Sequence, residues 1–283
     1  MALEDLTRLA RAVEENWCAA WASLGDMHVT QPTEVTNSAE CLRICTPGQP
    51  EMLLNIVLRF ASATPVTSAA IERTIAPFRQ HHLPFQWWLT LGTQPAGLRE
   101  QLRALGMQTW GGATSMTLHL PGWRPYLRSL GPGIALGQVA SAEDAAEALH
   151  VICEVFYVPP EPMALWTVRN PAFQVYSARW GGRVVAALAT LRRGDVVGVY
   201  HVATLPPARR RGIAGNLLVL ALTEAAAAGA TLATLTATPE ARSLYERLGF
   251  RTCGKIEQWV PGPELSLALT GPFGYTAYQR SDL

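Results

Sequence analysis

Apolar and polar positions recur along this chain with two periods, and each change of period marks an element. The opening residues, MALEDLTRLARAVEENW, set Glu4, Asp5, Arg8 and Arg11 around an apolar stripe at the spacing of an amphipathic helix. Trp17 and Trp21, four apart, share one face of it and read as core. FQWWLTL at 85–91 has the aromatic and branched content of a strand. From Ser141 and Asp144, both helix-start residues, apolar positions at Ala145, Leu149, Ile152, Val155 and Phe156 predict a helix. Strand-like runs follow at 173–179, 183–191 and 195–204, parted by Gly181-Gly182 and Gly194-Asp195, the turn pairs of an antiparallel meander. An Ala/Leu-rich helix to about Ala228, a strand at 231–236, a short helix through Tyr245 and a last strand complete the pattern. Helix, meander, crossover helix and strand predict a mixed α/β (α+β) sheet.

The pattern occurs twice. LREQLRALGMQTW at 98–110 and ARSLYERLGFRTC at 241–253 align at an offset of 143 residues, which pairs Leu105 with Leu248, Gly106 with Gly249 and Thr109 with Thr252. Each copy is a short helix ending at Leu-Gly, with glycine where a left-handed cap is cheap, and each follows a strand-like run and a proline, Pro95 or Pro239. Helix-glycine-strand junctions are common in α/β proteins, so the repeat alone leaves the question open. The boundary falls at PGWRPYLRSLGPG, 121–133, rich in Pro and Gly and without either period. The expected domains are 1–125 and 133–283. After the second copy, ELSLALTGPFGYTAY at 264–278 alternates as a strand or hairpin that would supply the first domain with an opening strand.

Composition narrows the classes. A length of 283 residues predicts about two domains at roughly 150 each. Hydrophobic residues make up 49% and charged residues 16%, which excludes a disordered chain. A net charge of +1 provides no long-range field toward nucleic acid or an anionic membrane, so neither is expected as a partner. The five cysteines (18, 41, 45, 153, 253) are odd in number and scattered, which suits reduced thiols in the cytoplasm better than a secreted scaffold. Cys41 and Cys45 lack the companions of a zinc site, and no metal is expected. No stretch reads as a membrane span, because the low-charge run 216–238 is broken by Glu224, Gly229 and several threonines.

The chemistry lies in VVGVYHVATLPPARRRGIAGNLLVLALTEAAAAGA, residues 196–230. A strand leads into Arg209, Arg210 and Arg211, then Gly212, Ile213, Ala214 and Gly215, where a long apolar helix begins. Small residues let a ligand approach the backbone, and the unpaired first amides of a helix, with its dipole, suit phosphate. A nucleoside-triphosphate loop would need Lys-Ser/Thr after its last glycine, and Gly215 precedes Asn216. A dinucleotide fingerprint would need an earlier glycine that is missing.

The remaining Arg-x-x-Gly-x-Ala resembles the acetyl-CoA pyrophosphate loop of the GNAT superfamily of N-acetyltransferases. SLYERLGF, Ser243 to Phe250, is similar to that family's second signature, and the two stand 37 residues apart with the right elements between them. The resemblance implies two GNAT-like mixed-sheet domains in tandem, the N-terminal one degenerate. It implies acetyl transfer from acetyl-CoA to a primary amine of a small molecule or peptide by direct attack, with no metal. Val202, Ala203 and Thr204 would meet the pantetheine arm and thioester, and Arg209, Arg210, Arg211, Gly212, Ile213 and Ala214 the pyrophosphate. Ala214 replaces a glycine found in many members, and Thr238 stands where many carry a coenzyme-binding Asn. Tyr245 would be the general acid that protonates the departing thiolate. A thiol near 8.5 and a phenol near 10 are close enough to share a proton.

The acceptor side is less legible. His201 and Glu154 are the base candidates, although a buried His and an exposed helix Glu are the plainer readings. Tyr157, Trp166 and Tyr200 are possible pocket walls, with ordinary packing as the default. In the first domain Leu102 takes the place of Tyr245 and no Arg-x-x-Gly-x-Gly/Ala occurs, so that half should not use acetyl-CoA. It would instead shape the acceptor pocket, in a monomer or homodimer. Two other classes compete: a catalytically silent CoA-binding regulatory or interaction module, and a nucleic-acid contact made by the arginine run, which the +1 charge disfavours.

Overall fold

The computed structural model describes residues 3–26, 33–61, 66–90, 95–158, 160–165 and 167–266. Its helices are α1 (Leu3–Ala22), α2 (Ser68–Gln80), α3 (Leu98–Ala104), α4 (Ala142–Phe156), α5 (Pro160–Leu165), α6 (Ile213–Ala227) and α7 (Pro239–Arg247). Its strands are β1 (Glu34–Asn37), β2 (Cys41–Cys45), β3 (Ile56–Phe60), β4 (Gln86–Leu89), β5 (Met107–His119), β6 (Ile134–Gln138), β7 (Phe173–Trp180), β8 (Arg183–Arg193), β9 (Val196–Thr204), β10 (Leu232–Ala237) and β11 (Arg251–Pro261). The mixed α/β architecture agrees with the sequence reading, and the meander strands start and stop within two residues of their expected bounds.

The compact units differ from the expected 1–125 and 133–283. One unit comprises residues 1–23 and 114–253, the other 24–113 and 254–283. Strand pairing and helix packing, rather than chain order, decide membership. In the first unit β6, β7, β8 and β9 form an antiparallel meander, β10 lies parallel to β9, and β5 pairs antiparallel with β10 from Leu232↔His119 to Ala237↔Thr114. Helix α6 buries Leu217, Leu218, Ala221 and Leu222 in a core with Leu188, Val197, Val199 and Phe250.

The N-terminal helix joins this unit because its polar and aromatic groups are matched there. Tyr200 Oη donates to Asn16 Oδ1, Asn16 Nδ2 donates to the Leu191 carbonyl at 3.3 Å, and Trp17 meets the Tyr200 ring edge-on at 5.4 Å. Gly198 lies beneath, where any Cβ would collide with Asn16 and Tyr200. At α4, Ser141 accepts from the Asp144 amide at 3.0 Å as a helix cap. The Arg179 guanidinium bridges Asp144 and Glu147, and the Val184 amide donates to Glu147 at 2.8 Å. Hydrogen bonding from Arg179 lowers the Asp144 carboxyl below its usual range, and the bond from Val184 does so first for Glu147.

The second unit runs β1-β2-β3-β4-β11, antiparallel except for β3 and β4. Thr67 caps α2 by accepting from the Ala70 amide. Phe78, Phe85, Trp87, Leu98, Leu102 and Trp259 fill its core, with Phe78 and Phe85 stacked at 4.7 Å. The repeated corner is present in both units, with Gly106 at φ +80° and Gly249 at φ +99°. In each unit the strand ahead of the Leu-Gly helix pairs with a strand from the other half of the sequence, β4 with β11 and β10 with β5. β11 thus gives this unit a late strand; of the strand or hairpin expected at 264–278, residues 264–266 belong to a helical turn and 267–278 lie outside the described residues.

Candidate active site

The site begins where two parallel strands separate. β9 and β10 pair at Val196↔Leu232, Val197↔Ala233 and Gly198↔Thr234, after which β9 continues to Thr204 and β10 to Ala237 without pairing. A bulge accompanies the separation. The β8–β9 register jumps from Ala189↔Tyr200 to Ala187↔Ala203, so His201 and Val202 oppose one residue, with His201 at φ +52°. The Thr204 hydroxyl, at the end of β9, is buried without a hydrogen-bond partner among the described residues. Val202 is half-buried against the core, and Ala203 is fully buried.

The loop after β9 turns sharply. Leu205 N–H donates to the Val185 carbonyl at 2.9 Å, and Arg209 Nε closes the turn on the Thr204 carbonyl at 2.9 Å. Arg210 and Gly212 have φ of +65° and +79°. The first backbone bond of α6 runs from the Asn216 amide to the Gly212 carbonyl at 3.1 Å, so the Ile213, Ala214 and Gly215 amides have no partner one turn back. The guanidinium of Arg211 lies over the Trp180 ring at 4.3 Å, and Arg210 is exposed with no ion pair among the described residues. Three adjacent arginines thus have three positions: one ties the turn, one stacks, one is open to solvent.

Tyr245 lies on α7 in the core that holds α6, 5% exposed, with its ring 5.9 Å from Phe250. Burial pushes the phenol well above its ordinary range, so it keeps its proton throughout the neutral region. The two signature segments are close, since a Cβ on Gly215 would lie 3.6 Å from Leu244 Cδ1. Thr238 is exposed at the start of α7 with extended backbone, ahead of Pro239.

The base candidates lie on the α4 side. The His201 ring packs edge-on against Phe156 at 5.9 Å, and burial pushes the imidazole down to about 4, so it is neutral at physiological pH and a weak base. Glu154 is exposed, with its carboxylate 3.4 Å from His150 Nε2. It lines a hollow of about 620 Å³ with Ala146, Glu147, His150, Arg183 and Leu205, next to Thr204 at the end of β9. Tyr157 is 93% exposed, Tyr200 is a buried partner of Asn16 rather than a pocket wall, and Trp166 lies outside the described residues. All five cysteines are buried free thiols, and burial raises Cys253 to about 11, which removes it as a nucleophile. Sequence reasoning missed the bulge and the stacking of Arg211 on Trp180, because neither leaves a periodic signal.

A wedge between parallel strands, a left-handed loop opening a helix and a buried tyrosine on the next helix define the class: a mixed-sheet fold with a helix start beside its separated strands. Residues 140–260 match the family model described as Acetyltransferase (GNAT) domain, and that stretch is a GNAT acetyltransferase domain. Among solved structures, a GCN5-related N-acetyltransferase from Kribbella flavida is 20% identical with a TM-score of 0.66, over 91% of this chain and 97% of that one. A second, from Sphaerobacter thermophilus, is 14% identical with a TM-score of 0.60, over 92% and 96%. A tandem GNAT protein from the clavulanic acid biosynthesis pathway is 14% identical with a TM-score of 0.60, over 93% and 98%. These likenesses are of fold. Among curated proteins there is no match.

Proposed function

We propose that the chain moves an acetyl group from acetyl-CoA to a primary amine of a small molecule or peptide by direct attack, with Tyr245 as general acid. The observation that carries this reading is the wedge beyond Gly198 and Thr234, where β9 and β10 stop pairing with each other and leave the facing main-chain groups of β9 without a β10 partner. Acetyl-CoA is the donor substrate, and these groups fit it. Val202, Ala203 and Thr204 would bind the pantetheine arm and polarise the thioester carbonyl. The Ile213, Ala214 and Gly215 amides, the α6 dipole and Arg210 would hold the diphosphate. Arg209 and Arg211 act on that loop by fixing its shape, and Thr238 stands at the margin.

An amine near pKa 10 must lose a proton before it attacks. Neutral His201 offers little driving force, so the proton passes through water, with Glu154 at the hollow as the better-placed acceptor. When the tetrahedral intermediate collapses, Tyr245 delivers its proton to the leaving sulphur and recovers one through solvent from the attacking nitrogen, which leaves as a neutral amide. The hollow beside Leu205 is the proposed acceptor entrance. The N-terminal half, with Leu102 at the position of Tyr245, takes no acetyl-CoA. No helix among the described residues is long and apolar enough to cross a membrane. We place the protein in the cytoplasm, as a monomer or homodimer that binds neither nucleic acid nor membrane.

The test is CoA release with a panel of amines, comparing wild type with Tyr245→Phe. Phe keeps the ring packing, so kcat should fall by roughly 10²–10⁴-fold with KM for acetyl-CoA unchanged. Equal kcat in the two proteins would remove Tyr245 from the mechanism. Tight CoA binding without turnover on any amine would leave a silent coenzyme-binding module.

A further inference from the structure

The segment between the sequence halves does more than connect them. Residues 123–130 have no regular secondary structure, yet both ends are fixed within the first unit. Trp123 Nε1 donates to the Leu248 carbonyl at 2.8 Å, at the end of α7, and its ring lies against Gly249. Asn216 Nδ2 donates to the Arg128 carbonyl at 3.1 Å and to the Gly212 carbonyl at 2.9 Å. Trp123 and Leu130 also pack on the hydrophobic core. The segment therefore forms a strap from the second signature to the first.

Arg128 lies over the loop itself. A Cβ on Gly212 would stand 3.2 Å from Arg128 Cβ and 3.6 Å from Arg128 Cδ, so the side chain crosses the backbone at the helix start. Among the described residues no carboxylate pairs with Arg128, and none pairs with Arg209, Arg210 or Arg211. Arg209 is bound to the Thr204 carbonyl and Arg211 is stacked on Trp180, which leaves Arg210 and Arg128 as the uncommitted cations. A guanidinium suits this position because its planar fork matches two phosphate oxygens at once. The strap fixes the Arg128 backbone in advance, so less order is lost when an anion arrives.

We propose that the strap is one wall of the coenzyme site and that Arg128 binds the diphosphate of acetyl-CoA from the side opposite the loop amides. This rests on the acetyl-CoA reading above. The assignment is to the diphosphate, because the contact is with Gly212 within the predicted pyrophosphate loop.

The full chain is titrated with CoA and with 3′-dephospho-CoA, as wild type, Arg128→Ala and Arg128→Lys. Arg128→Ala should weaken both ligands by the same factor, roughly tenfold, with Arg128→Lys between it and wild type. In turnover, KM for the donor should rise and kcat should stay, a split that general destabilisation would not produce. Because Arg128 is exposed, the melting temperature should not move. Should Arg128→Ala alter folding, the Lys variant carries the comparison. Wild-type affinity in Arg128→Ala, beside a wild type that binds CoA, overturns the strap alone. Loss for CoA only would mean that Arg128 meets the 3′-phosphate and would overturn the diphosphate assignment. A wild type that binds neither ligand overturns the acetyl-CoA reading and the strap together.

Discussion

Replacing Gly212 with alanine tests the anion loop at its tightest point. Gly212 has φ +79°, a conformation that costs an L-residue about 1–2 kcal/mol. Its new Cβ would also stand 3.2 Å from Arg128 Cβ, closer than ordinary van der Waals contact. If the loop keeps its shape, the whole cost falls on folding and lowers the melting temperature by about 2–8 °C. If the loop relaxes, the cost returns when the diphosphate binds, and CoA affinity drops by about 5- to 30-fold. The two effects share one strain, so calorimetric melting and CoA titration on the same sample should together recover the full 1–2 kcal/mol. Gly212→Asn separates the causes, since Asn tolerates left-handed backbone better but carries the same Cβ. An alanine variant unchanged in both melting and affinity would refute the argument.

Two further outcomes follow from the fold. The folded His201 is depressed to about 4 against about 6.5 unfolded, so its contribution is present above 6.5 and is lost as pH falls toward 4. Urea unfolding at pH 7 and pH 4.5 should show an acid loss on the order of 2 kcal/mol that shrinks in His201→Asn; an undiminished slope would contradict burial of the ring. A fragment of residues 126–283 lacks α1 and the β5 residues that pair with β10, which exposes Gly198, Tyr200 and the β10 edge. It should lose near-ultraviolet ellipticity and cooperative melting, and a cooperatively folded fragment would show that chain halves, not the compact units, are the folding domains.

Local geometry was legible wherever a single segment determines it. Gly181-Gly182 and Gly194-Asp195 marked the meander turns, Ser141 marked the cap of α4, and Gly106 and Gly249 marked the two left-handed corners. Partner choice was not legible, because the composition of β5 and β11 marks them as strands without saying which strand lies alongside. VVGVYHVAT is an almost continuous apolar run, so nothing in it foretells that His201 adopts positive φ at a bulge. Tyr200 is an aromatic beside the candidate site, and its phenol goes to Asn16, a residue 184 positions away. Arg128 sits in a stretch that composition marks only as a connector.

The reciprocal loan of strands also governs how the molecule is made. During synthesis, β1 to β4 leave the ribosome long before residues 254–261 exist, so the β4 side later covered by β11 stays open until translation is nearly over. Neither module can close early, and a nascent chain released short of its last strand carries a sticky margin instead of a finished sheet. Separating the two modules into independent genes would require each to acquire a replacement for the strand it now borrows.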